Sequence, residues 1–422
     1  MSSILAFAVF FSFSFCSLIS QANFSNYNSI LIGDQAAGMG GAATAMTEDA
    51  SAVAWYNPAA MAKLKGQAFS AAVGIYKKFD TRYRDDSDIT KASLRVNQGF
   101  FRALPSSTGS VIRPEEISAL KDWTLALTIL VPEYESFKGD IFTDGTSSST
   151  LNLVTESIWV GGAIARKINE TDSLGLSLYY TARSVSRTVN DRSFVSPTQS
   201  QIFSEEKNIT QNAVVGILGW HHDLSEGFLL GLSLRLPSLP VSGKAEVTQD
   251  VVSNGAIGSL VAARDMNTKA HIPAKLALGL AWVTPNESKW AVDLNVYEPL
   301  SYEDIEDNPA VSERIEHRLV VNGAAGYEKY WLPWLRTRFG IFSNFSAHPN
   351  PDPLKVRGQG DHVDQAGFSA NAGLRTKNIE YTFGGYYSGG RGQSVQRINQ
   401  VYQVVPKVQN VFTMLVGTAY SF

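Results

Sequence analysis

The chain has 422 residues, a formal net charge of −3 and a mean hydropathy of −0.07; aromatic residues make up 11 %, with 16 Tyr and 22 Phe. So even a charge balance gives no electrostatic case for nucleic acid. Beyond the N-terminus no apolar run is long enough to cross a bilayer as a helix, which leaves a soluble fold or a membrane β-barrel, whose hydrophobicity is hidden in alternation.

The N-terminus has an apolar run from Ile4 to Ile19, followed by Ser20-Gln21-Ala22. That pattern is expected to be a signal peptide over residues 1–22, cleaved before Asn23, although no Lys or Arg precedes the run. The single cysteine, Cys16, lies inside it, so the mature chain is expected to have no disulfide and no cysteine-based metal or redox site.

Residues 23–65 are rich in Gly and Ala and carry helix-start signals. Asp49 is positioned to cap one short helix. Asn57 is positioned to cap another, with Pro58 at its first position, where a missing N–H costs nothing. Gly33, Gly38, Gly40 and Gly41 permit tight bends and close backbone packing. A closed barrel needs nothing ahead of its first strand, so this stretch is expected to form a compact plug.

Residues 66–422 alternate. In DWTLALTILVP the odd positions are Trp123, Leu125, Leu127, Ile129 and Val131. Leu174, Leu176, Leu178 and Tyr180 share one face; Gly175, Ser177, Thr181 and Arg183 share the other. The same split separates Leu232, Leu234 and Leu236 from Gly231, Ser233 and Arg235, and Leu276, Leu278, Leu280 and Trp282 from Lys275, Ala277 and Gly279. Strands of about ten to fifteen residues, longer than the soluble average of about five or six, with Trp or Tyr ending the apolar face, favour a transmembrane antiparallel barrel of about fourteen strands. Short turns at Asn169-Glu170-Thr171, Ser225-Glu226, Pro285-Asn286-Glu287 and Thr376-Lys377-Asn378 trade places with polar stretches near 133–150, 190–206, 250–264, 347–361 and 392–406, which read as outer loops. Residues 105–121 break the pattern, and EEISALKD within them could make a short helix. The end of the chain, VFTMLVGTAYSF, resembles the terminal strand by which outer-membrane barrels are recognised by the barrel-assembly machinery, with Phe422 last.

Gly38-Met39-Gly40-Gly41-Ala42, Thr47-Glu48-Asp49-Ala50-Ser51-Ala52 and Tyr56-Asn57-Pro58-Ala59 resemble the N-terminal hatch of FadL/TodX-type outer-membrane transporters for long-chain fatty acids and other hydrophobic molecules. Segments such as DWTLALTILVP, LPSLPVSGKAEV and HIPAKLALGLAWVTP sit where that family has similar ones. The resemblance covers 23–422, with Ala60 where many relatives have Gly. It implies a hatch over 23–65 and a barrel over 66–422 in the outer membrane of a Gram-negative bacterium, amid lipid and lipopolysaccharide. It also implies uptake by binding near the outer loops, rearrangement of the hatch around Gly38, Gly40, Gly41, Asp49, Tyr56, Asn57, Pro58 and Ala59, and exit sideways into the membrane. The presumed lumen face carries Arg183, Arg235, Lys275, Asp293, Arg336, Arg338, Arg375 and Glu380. Most of these read as a mutually paired polar interior, and the arginines are the candidates for meeting a cargo carboxylate.

No enzyme and no cofactor are expected. Gly38-x-Gly40-x-x-Ala43 lacks a βαβ context, adjacent His221 and His222 point to opposite faces, and there is no nucleophile elbow. The alternative function is a barrel of this fold that receives exported proteins in an outer-membrane secretion system.

Overall fold

The computed structural model describes residues 26–46, 48–64, 66–83, 94–114, 117, 120–143, 147–196, 199–254, 256–355, 358–398 and 401–421. The expected signal peptide with Cys16, half of EEISALKD and Phe422 lie outside the described residues. Among the described residues, eighteen strands follow the N-terminal segment. They are β1 (Ala68–Tyr83), β2 (Leu94–Ile112), β3 (Trp123–Thr143), β4 (Ser147–Lys167), β5 (Asp172–Ser196), β6 (Gln199–Ser225), β7 (Phe228–Arg235), β8 (Leu239–Ser253) and β9 (Ala256–Asn267). The second half holds β10 (Lys275–Val283), β11 (Lys289–Tyr297), β12 (Leu300–Glu303), β13 (Arg314–His317), β14 (Val320–Leu332), β15 (Leu335–Asn344), β16 (His362–Thr376), β17 (Ile379–Ile398) and β18 (Val401–Ser421).

Fourteen of these close an antiparallel ring: β1 to β6, then β7, β10, β11 and β14 to β18, with β18 pairing β1 from Ala68↔Ser421 to Tyr83↔Lys407. β7 and β8 are two halves of one course broken at 236–238, and β9 and β10 are two halves of the next, broken at 268–274. β8 and β9 form a hairpin on the outer half of β6, while β12 and β13 pair only with each other. Every strand of the ring thus has a paired neighbour on each side, as a bilayer-spanning sheet requires.

The alternation places side chains as the sequence predicts. Leu174, Leu176, Leu178 and Tyr180 face outward, as do Leu276, Leu278, Leu280 and Trp282; Ser177, Thr181, Arg235, Ala277 and Asp293 face inward and are buried. Phe228, Trp282, Trp290, Trp331 and Trp334 stay outward near the turn end of the barrel, in the manner of an interfacial girdle.

Two expectations need correction. The stretches 133–150, 190–206, 250–264 and 392–406 are mostly strand, because the strands run far past the bilayer, up to 27 residues in β6, and only 347–361 stays largely a loop. A further irregular excursion, 298–319, folds inward around β12 and β13. Val131 does not continue the outward face of β3: a register shift between Leu130 and Glu133 turns it inward, and both Leu130 and Val131 are buried.

The hatch packs as two short α-helices, Asp34–Gly38 and Val53–Tyr56, and a 3-10 helix, Pro58–Lys63. Its Ala, Met and Leu side chains share buried clusters with inward residues of the wall. The wall meets it with glycine. A Cβ on Gly231 would lie 2.1 Å from Thr44 O, one on Gly340 2.1 Å from Gly40 N, and one on Gly175 2.4 Å from the Pro58 carbonyl carbon. Inward glycines therefore let the hatch backbone rest directly on the strands.

Candidate functional site

Asn57 is wholly buried and makes three hydrogen bonds. Its Oδ1 accepts from Ala59 N at 3.1 Å, the expected cap; its Nδ2 donates to Thr44 O at 2.9 Å and Trp220 O at 3.0 Å. One side chain thus joins two hatch segments and β6. Pro58 occupies the first helical position, and Ala59 is buried against Gly219 and Ser173 of the wall. Asp49 does not cap a helix with its side chain. Its Oδ1 accepts from Ser51 N, Ser51 Oγ and Ser70 Oγ instead, tying the loop to β1. Burial, with the nearby Asp34 charge, pushes its carboxyl up to about 7. Gly40 and Gly41 hold φ of 70° and 85°, left-handed values that favour glycine, and Gly38 lies against Asn371. On the wall, Asp293 Oδ2 accepts from Ala43 N, Thr44 N and Thr44 Oγ1 at 2.9, 2.9 and 2.6 Å. The sequence puts Asp293 on the lumen face without revealing that it grips the hatch, since only the folded chain brings residues 43–44 to it.

Above the hatch lies a cavity of about 1090 Å³, counting its open mouth. Aromatic rings dominate its walls. Trp55 and Trp159 meet edge-on with centroids 5.0 Å apart, and Tyr27 stacks on Tyr297 at 4.3 Å. His271 stacks on Tyr302 at 4.4 Å. Tyr27 Oη also bonds His317 Nδ1 at 3.1 Å; burial, with His348 and Arg183 nearby, holds this histidine down at about 3, so it stays neutral. Tyr56, from the hatch motif, lines the same cavity.

The structure separates the five candidate arginines. Arg183 and Arg235 line the cavity. Arg183 is paired with Glu133 at 3.0 Å. Arg235 is buried, donates to Pro273 O and sits within 6.0 Å of the Trp55, Trp159 and Tyr297 rings. Lys275 lines the cavity beside it, near the Tyr56 and Tyr297 rings. Among the described residues, no carboxylate lies within ion-pair distance of Arg235 or Lys275. Arg336 and Arg338 lie elsewhere, in a buried network with Glu328 and Glu380 that the hatch joins through Glu48 and Gln35. Glu48 also reaches Lys289 at 2.5 Å. Arg375 is exposed, its backbone N bonded to Trp334 O beside the β16–β17 turn, and it does not line the cavity. His221 and His222 do lie apart: His221 is buried against Ala45 O, and His222 bonds Asp172.

The wall beside the cavity is interrupted. β2 pairs with β1 along nearly its whole length, but with β3 only from Ser107↔Leu130 to Ile112↔Leu125. Farther out, β3 continues with β4 to Thr143↔Ser148 and has no β2 partner among the described residues. Pro105 and Pro132, which lack an N–H to donate, flank the break. Two smaller cavities of about 400 and 570 Å³ lie there, the first lined by Pro105, Ser106 and Val131, the second by Pro132 and Glu133. Ile30 lines the first of them and the central cavity, and Pro132 lines the second and the central cavity.

A closed fourteen-strand barrel with an N-terminal hatch, an aromatic cavity above it and a broken wall beside it defines a particular architecture. That architecture is the FadL/TodX-type fold. A Pseudomonas aeruginosa FadL homologue superposes with a TM-score of 0.70 at 16 % identity, covering 94 % of this chain and 100 % of that one. The Pseudomonas putida toluene transporter TodX gives 0.65 at 13 %, with 95 % and 99 % covered, and the Ralstonia pickettii toluene transporter TbuX gives 0.60 at 13 %, with 94 % and 100 % covered. No protein-family model and no curated protein matches the sequence.

Proposed function

We propose that the protein is an outer-membrane channel for the uptake of hydrophobic small molecules, which bind in the aromatic cavity and leave sideways through the β2–β3 break. The observation that carries this reading is the shared lining of the central cavity and the cavities at the break. The chemistry supports it. A buried methylene is worth about 0.8 kcal/mol, so releasing an apolar cargo into water is costly and releasing it into lipid is not. The names of the similar structures point to the same cargo class: toluene for two of them.

Long-chain fatty acids are the finer reading. An acid would set its carboxylate against Arg235 and Lys275, the cavity cations without a carboxylate partner among the described residues. The cargo class is tested by uptake of radiolabelled toluene and of radiolabelled oleate in Gram-negative cells lacking their own channel. For an acid cargo, Arg235→Leu is expected to lower oleate uptake at least fivefold and leave toluene uptake within twofold. Equal effects on both would assign Arg235 to wall packing, and uptake of neither would remove the channel reading.

A further inference from the structure

The barrel has a second interrupted side. β10 begins at Lys275, β11 ends at Tyr297 and β14 begins at Val320, whereas β5 and β6 run on outward. Above that level β9 pairs with β8 alone among the described residues. The space is closed by residues 298–319, whose β12–β13 hairpin makes no ladder with the ring. The β11–β14 junction that holds the hairpin lies diametrically across from the β2–β3 break. Seven strands (β3 to β7, β10, β11) separate them one way and seven (β14 to β18, β1, β2) the other.

Side chains, not strand pairing, hold the hairpin down. Buried Lys207 of β6 bonds Asp304 and Glu313, and buried Arg187 of β5 bonds Glu313 at 3.2 Å. Thr268 Oγ1 donates to Asp304 O at 2.6 Å, and the Asp307 carboxylate accepts from Asn267 N and Nδ2. The hairpin also supplies Tyr302 and His317 to the cavity wall, so lifting it would unroof the cavity.

We propose that the hairpin is an entry lid: cargo enters from outside by displacing it, crosses the cavity and leaves through the opposite break. An element held by ion pairs, ring contacts, the burial of Ile305 and Val311 and one backbone bond from Glu306 N to Asn267 O can open as a unit, whereas a strand of the ring cannot leave without breaking its ladder on both sides. The lid rests on the uptake reading for its purpose, not for its existence.

The test uses the full chain in outer membranes, in a Cys16→Ser background. Asn267→Cys and Asp307→Cys replace side chains that touch at 3.0 Å, so that oxidation pins the hairpin. Ala324→Cys places a reporter thiol on the cavity wall. The probe is an anionic methanethiosulfonate, which cannot reach the cavity through lipid, and peptide mass mapping reads its reaction at position 324. Pinning is expected to slow that reaction at least tenfold relative to the reduced protein. Lys207→Met, which needs no crosslink, is expected to speed it severalfold. Equal rates in pinned and reduced protein, or no change with Lys207→Met, would overturn the lid. Uptake of toluene and oleate by the reduced protein is measured in parallel, so that a failed channel reading is seen separately from a failed lid.

Discussion

Asn57 shows how much one side chain can decide. Asn57→Ala would leave the Thr44 and Trp220 carbonyls and the Ala59 N–H without their partner, at about 1–3 kcal/mol for each group left unsatisfied. The expected outcome is a folded, heat-modifiable barrel whose hatch is cleaved by protease at least tenfold faster; unchanged cleavage would remove Asn57 as a hatch anchor. Asp49 gives a pH dependence. Its folded carboxyl is raised to about 7 from an ordinary 3.8, so the hatch gains stability as pH falls and loses it as pH rises from about 4 through 7. Hatch proteolysis is expected to be faster at pH 8 than at pH 5, and Asp49→Asn to flatten the difference; an unaltered profile in that variant would assign the titration elsewhere. Asn57 was legible as a cap because Asn-Pro is a local signal. The role of Asp49 was not, because its partner Ser70 lies on the first strand and only folding brings it there.

At the level of elements, alternation located the lipid-facing strands wherever one face meets lipid and the other meets hatch or cavity. It failed above the bilayer, where the outer face of β6 turns from apolar to polar at Ser204, Glu206, Asn208 and Thr210 and the charges of Glu205 and Lys207 interrupt its buried face, so strand was read as loop. It failed at Val131 for another reason: a bulge shifts the register, and a bulge has no signature in period two. The glycines on inward faces, such as Gly231 and Gly279, were visible as part of the alternation, but their purpose as seats for Thr44 and Ala45 was not. Gly231→Val would drive a side chain into the Thr44 carbonyl at 2.1 Å, and overpacking of this kind costs about 1–3 kcal/mol. We expect the variant barrel to fold with its hatch displaced, read as a rise in single-channel conductance in a planar bilayer. Wild-type conductance would mean that the hatch adjusts without moving.

For the whole molecule, the sequence made the barrel and the hatch legible because both follow from local patterns. The cavity was not legible, because Tyr27, Trp55, Trp159, Tyr297 and Tyr302 come from five separate segments and converge only when the ring closes. The hatch is held at many points around the ring, by Asp293, by the glycine seats and by the ion network through Glu48, so a path through the side of the barrel disturbs fewer contacts than a path through its floor. The most direct test is to block that path alone. Ser106 is buried at the β2–β3 break and lines the cavity there, so Ser106→Trp would fill the exit while leaving the central cavity and hatch contacts in place. Uptake of radiolabelled toluene and oleate should be compared in channel-deficient cells carrying the native protein or this variant, at equal amounts of heat-modifiable barrel. Native uptake that falls at least fivefold with Ser106→Trp is the expected result; native uptake that the variant leaves unchanged would contradict a sideways exit at β2–β3.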